Sequence, residues 1–202
     1  MHSLFITSLL AIAPAVTSAA NLVPWEISAV STFSPSSYPA SHPYSQIWFT
    51  ITNPNHFVLG STRFGDATLP ASATNCSVYW QPHSEKPDGW TNTCERPAGA
   101  MIGKWTFEVL PGNFGYGTTR DFSLRITLSQ AVVLGNGAII SHKYVGQKSF
   151  LVGDNLAGAC GGSGVCSYGL AEKVQRPVLV EQGLLEAKCI TGACEEGLAR
   201  KE

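Results

Sequence analysis

The chain has 202 residues, of which 44% are hydrophobic and only 13% charged, and its formal net charge is −1. That hydrophobic content excludes general disorder, and the near-zero charge excludes the basic field that a nucleic acid or an anionic membrane surface would require of a partner. The length suits one domain with a sizeable core, whose polar surface must come from Ser, Thr, Asn and Gly more than from ions.

Residues 1–20 read as a signal peptide. Leu4, Phe5, Ile6, Leu9, Leu10 and Ala11–Ala13 form an apolar run too short to span a bilayer, Pro14 interrupts it, and Thr17, Ser18, Ala19 and Ala20 supply the small side chains that a signal peptidase cuts beside. A mature chain starting near Ala20 or Asn21, secreted and extracellular, is the expectation. From Trp25 onward the dominant period is two, the mark of half-buried strands. A strand at 25–30 is followed by a loop at 34–43 carrying Pro35, Pro39 and Pro43 among serines. Ile47, Phe49 and Ile51 then alternate with Trp48, Thr50 and Thr52, and a turn falls at 53–55. Strands at 76–80 and 89–94 flank a turn at 86–89. Trp105, Phe107 and Val109 alternate with Thr106 and Glu108, placing Trp105 in the core. A glycine-rich loop at 112–117 leads to the cleanest alternation in the chain, Phe122, Leu124, Ile126 and Leu128. Gly135-Asn136-Gly137 separates apolar segments, and Asn136-Gly137 is expected to supply the positive φ angles of a tight hairpin. Further strands are expected at 139–145, 149–152 and 177–180. Beyond 183 charged residues concentrate; Leu184, Leu185, Ala187 and Lys188 suggest a helical turn or two, interrupted by Gly192 and Gly197. The reading is an all-β fold, an antiparallel β-sandwich or β-barrel of about nine or more short strands. The secreted domain spans 21–182, and a short irregular, charged C-terminal extension spans 183–202.

Six cysteines, an even number in an exported chain, argue for disulfides. Sequential pairing is expected: Cys76 with Cys94, Cys160 with Cys166, Cys189 with Cys194. The alternative joins Cys160 or Cys166 to the tail. No Cys-x-x-Cys or His at ligand spacing accompanies them, so neither a metal nor any other cofactor is expected.

The order of these features (leader, Trp25-Glu26-Ile27-Ser28, Pro/Ser loop, strand at 47–53, the pair Cys76 and Cys94, then Cys160-Gly161-Gly162-Ser163-Gly164-Val165-Cys166) resembles the small secreted proteins of filamentous fungi related to the major Alternaria allergen. The resemblance covers the layout from Trp25 to about residue 180. It implies an antiparallel β-barrel or sandwich with two internal disulfides, acting as an effector, elicitor or allergen at a host surface. The chain departs from that pattern in two ways. It has no cysteine near Trp25, so the intermolecular bridge of the family's archetype has no counterpart, and Cys189 and Cys194 are additional.

No catalytic constellation stands out. Gly161-Gly162-Ser163-Gly164 is a residue out of step with a nucleophile elbow and reads as a bend between two cysteines. Glu26 and Glu108 lie on expected strands, where a glycosidase would need its two carboxylates to face one another, and solvent-facing positions are the ordinary reading. His42, His56, His83 and His142 are scattered. The aromatics carry more. Trp48 falls opposite Ile47, Phe49 and Ile51; Tyr38 and Tyr44 bracket the proline loop; and in Tyr79-Trp80 one ring must face out. Trp48, Tyr38, Tyr44 and Trp80 are therefore the candidate binding residues. Asn75-Cys76-Ser77 is a glycosylation sequon. Together these favour a secreted binding module for a host or cell-wall protein or glycan, with an extracellular hydrolase of polysaccharide or ester as the alternative.

Overall fold

Alternation in the sequence becomes alternation in burial. In β2 (Ser45–Asn53) Ile47, Phe49 and Ile51 are fully buried, while Gln46, Trp48, Thr50 and Thr52 between them are only half-buried. The computed structural model describes residues 22–36, 42–62, 64–82, 87–96 and 103–191. The expected leader, Tyr38, His83 and Cys194 lie outside these. The strands are β1 (Trp25–Ser34), β2, β3 (Phe57–Thr62), β4 (Gly65–Leu69), β5 (Ser72–Trp80), β6 (Thr91–Thr93), β7 (Lys104–Pro111), β8 (Asp121–Val133), β9 (Ile139–Leu151), β10 (Leu156–Cys160), β11 (Cys166–Leu170), β12 (Val178–Val180) and β13 (Gln182–Thr191).

They form two antiparallel sheets and a separate β3–β4 hairpin. The first sheet runs β10-β11-β1-β2-β5, and β12 pairs the start of β1 while β11 pairs its end. The second runs β13-β9-β8-β7-β6. The sheets pack face to face as a β-sandwich: Trp25 meets Trp105 edge to face at 4.9 Å, and Phe49 meets Phe107 at 5.0 Å. Phe122 and Phe150 stack within the second sheet. Such ring pairs add to what area burial alone contributes.

Two disulfides join described residues. Cys76, on edge strand β5 of the first sheet, bonds Cys94, which directly follows edge strand β6 of the second. Beside it Glu95 N donates to Asn75 O (2.9 Å) and Thr74 Oγ1 donates to Glu95 O (2.5 Å). This seam closes one side of the sandwich. Cys160 and Cys166 are directly opposed partners at the end of the β10–β11 hairpin. Cys189 is also disulfide-bonded; its expected partner, Cys194, lies outside the described residues.

Two local expectations need correction. Asn136 does not take a positive φ; among described residues only glycines do. The β8–β9 turn instead closes with Gly137 N donating to Leu134 O (3.0 Å) and Leu134 N donating to Ala138 O (2.7 Å), with Gly137 at φ 81°. Asn136 Oδ1 accepts from Ala138 N, holding the corner from its side chain. The β10–β11 turn repeats this pattern, with Gly164 N to Gly161 O, Gly161 N to Val165 O and Gly164 at φ 84°. The glycine run between Cys160 and Cys166 is thus a hairpin turn with a left-handed glycine at its exit. Second, residues 183–191 of the expected irregular extension join Gln182 in β13, an edge strand along β9 with bulges at Leu184/Glu186 and Cys189/Thr191, where a helical turn was expected. Its side chains are mostly exposed, so no apolar period marks it as a strand.

Candidate functional site

The two outer faces of the sandwich differ in chemistry. On the second sheet, Lys104, Glu108, Arg125, Lys143, Glu186 and Lys188 occupy outward positions, fixed by their register beside one another and by the buried residues between them. Arg125 pairs with Glu108 across β7 and β8 at 3.3 Å, and Lys188 pairs with Glu186. Among the described residues, the outward positions of β1, β2, β5, β10 and β11 hold one charged side chain, Glu26, at the end of β1 opposite Thr52.

The centre of this uncharged face is Gln46. Across the strands it lies between Phe33 of β1 and Tyr79 of β5. Along the chain Tyr44 and Trp48 stand two residues to either side of it, and alternation turns them to the same face. A strand spacing of about 4.8 Å puts Phe33 and Tyr79 roughly 10 Å apart, with Trp48 diagonal to both. His42 links the rings at one end, packing edge-on to Phe33 (6.0 Å) and to Tyr44 (5.8 Å). Its Nδ1 lies 3.2 Å from Tyr44 O. Tyr79 is 53% and Tyr44 40% exposed; Trp48 and Phe33 are half-buried. Small or hydroxylated residues surround them: Ser31, Ser77, Ser167 and Gly169.

Of the candidate binding residues, Trp48 and Tyr44 lie on this face. Trp80 does not: on β5 the residues Thr74, Cys76, Val78 and Trp80 face the core, and Trp80 is only 5% exposed. Tyr79 is the outward ring of that pair. Phe33 is the ring the sequence concealed, because a bulge between Ile27 and Ala29 switches the facing of β1 partway along. Asn75 of the sequon borders the face; its Oδ1 accepts from Thr50 Oγ1 (2.9 Å) and its Nδ2 donates to Glu95 Oε2 (3.2 Å). Glu26 and Glu108 face outward from opposite sheets, so they cannot flank one bond. Among the described residues no group of three or more His, Cys, Asp and Glu side chains is placed to hold a metal ion, and no helix is long and apolar enough to cross a membrane.

No family model, no curated protein and no solved structure matches the chain.

A second polar feature lies inside the sandwich. Gln130 continues the inward series Ile126, Leu128 and Val132 on β8, is 2% exposed, and among the described residues neither its Oε1 nor its Nε2 has a hydrogen-bond partner. An unpaired buried amide costs on the order of 1–3 kcal/mol. Gln130→Met, similar in shape but without that penalty, should raise stability by about 1–2 kcal/mol in denaturant unfolding; a destabilised variant would show that the amide is satisfied. Opposite it on β9 stands His142, whose pKa is lowered by burial. Its folded pKa then lies below the unfolded value of 6.5, so the unfolded chain binds more protons as the pH falls through that value. His142 should make the protein less stable towards acid, and His142→Gln should flatten that part of a stability–pH profile.

Proposed function

We propose that this protein is a secreted recognition module, a rigid disulfide-tied sandwich that engages a host or cell-wall partner outside the cell. Effector-like or elicitor-like action, as in the fungal secreted proteins it resembles, is the biological form of that reading. The observation that carries it is the segregation of surface chemistry. Charge gathers on the outer face of one sheet, while the other presents four rings around Gln46 with almost no charge nearby. Rings left in solvent beside polar neighbours mark contact surfaces. The disulfides support an oxidising destination, and the apolar run followed by small residues supports export.

Two measurements test it. Sequencing the amino terminus of the natural product should find a start near residue 20 or 21; an intact Met1 leader would end the secretion reading. Binding to host extracellular material should be lost in a Trp48→Ala/Tyr79→Ala variant and kept in a Lys104→Ala/Arg125→Ala variant of the opposite face. The reverse pattern would move the working surface to the second sheet.

A further inference from the structure

The uncharged face also has features of a particular class of partner, and the following rests on that face being the working surface. We propose that it binds a neutral polysaccharide, one chain lying across the strands with a sugar ring over Gln46. Three observations converge. The first is charge: among the described residues the outward positions of five strands carry only Glu26, at one end, with Glu95 at the border on Asn75, so the centre of the face offers little to an ionic ligand and imposes little desolvation of charge on a neutral one. The second is the pairing of chemistries. Sugars present C–H groups on their ring faces and hydroxyls around their edges. Here Phe33, Tyr44, Trp48 and Tyr79 provide flat apolar surfaces, while Gln46, Thr50, Ser31 and Ser77 provide donors and acceptors beside them. The third is extent. Phe33 and Tyr79 flank Gln46 roughly 10 Å apart, about the span of a disaccharide unit, and the His42–Tyr44 pair continues the rings from Phe33. The face is a sheet surface rather than a pocket, which suits a polymer. Gln46 is the specificity residue, since its carboxamide is the polar group that all four rings surround.

The test is depletion of the purified protein from solution by insoluble cellulose, chitin, xylan and β-1,3-glucan, with polygalacturonate as the anionic control. At least one neutral polymer should bind the native protein, with less than about a two-fold change on raising the salt from roughly 0.05 to 0.5 M. Trp48→Ala and Tyr79→Ala should each weaken binding about ten-fold without changing the melting temperature. Gln46→Met should weaken it several-fold and alter the ranking among the polymers. Binding confined to polygalacturonate, or abolished by salt, overturns the neutral-glycan assignment. So does the absence of binding to all four neutral polymers. In that case the working-surface reading survives if light scattering shows self-association that Trp48→Ala removes, or if the variant loses a protein partner, and it falls if the variant behaves as the native chain in every assay.

Discussion

Removing the Cys76–Cys94 bridge, by Cys76→Ala/Cys94→Ala, should lower the melting temperature by about 6–12 °C, the equivalent of roughly 3 kcal/mol. The bridge spans 18 residues, a loop for which chain entropy alone gives about that value. The structure adds a reason to expect the full amount. Both sulfurs are buried, and they join the edges of the two sheets, next to the hydrogen bonds between Asn75, Thr74 and Glu95. Without the covalent tie that seam depends on these few bonds. The Cys160–Cys166 bridge should matter less: it spans 6 residues, closes a hairpin that β10 and β11 already pair, and lies at the surface. Calorimetry on both double variants checks this. Equal losses would mean that the inter-sheet seam holds without its disulfide.

Gly146→Val should be strongly damaging, at more than about 3 kcal/mol, with Gly146→Ala costing about 2. Gly146 lies mid-strand in β9 and faces inward. A β-carbon there would lie 2.7 Å from Glu181 O, 2.9 Å from Val180 Cγ1 and 3.2 Å from Trp25 Cζ3. The first of these is backbone, at the point where the chain passes from β12 in one sheet to β13 in the other. A methyl group would push the crossing away from Trp25, a fully buried ring of the central contact with Trp105. Gly183→Ala is the control, because a β-carbon there meets nothing within 4 Å. A Gly146→Ala protein as stable as the control would show that the crossing yields freely.

The central strands were legible because each buries one face. Phe122, Leu124, Ile126 and Leu128, or Trp105, Phe107 and Val109, repeat an apolar residue every second position for that reason. The paired cysteines of the hairpin were legible from spacing. What escaped detection obeys other rules. β13 is exposed along its length and is held by backbone pairing to β9, which leaves no apolar period to read. β3 and β4 make a hairpin apart from both sheets. For the face around Gln46, Trp48 was visible as the ring opposite its strand's apolar set and Tyr44 as one flank of the proline loop, but the grouping was not. It depends on which residue of β1 and of β5 stands beside Gln46, and a register is a property of paired strands, not of either alone. Trp80 was misplaced for the same reason: two adjacent aromatics show that one faces out without showing which.

β1 is completed by strands more than a hundred residues further along the chain. β1 finds β2 next along the chain, but its other edge is shared by β11 and β12, and Gln182 Nε2 reaches Val23 O across 159 residues. No amino-terminal fragment can therefore finish the first sheet. Assembly must wait until β11 and β12 have emerged, and with so many distant pairings it will be slow compared with a helical domain of the same size.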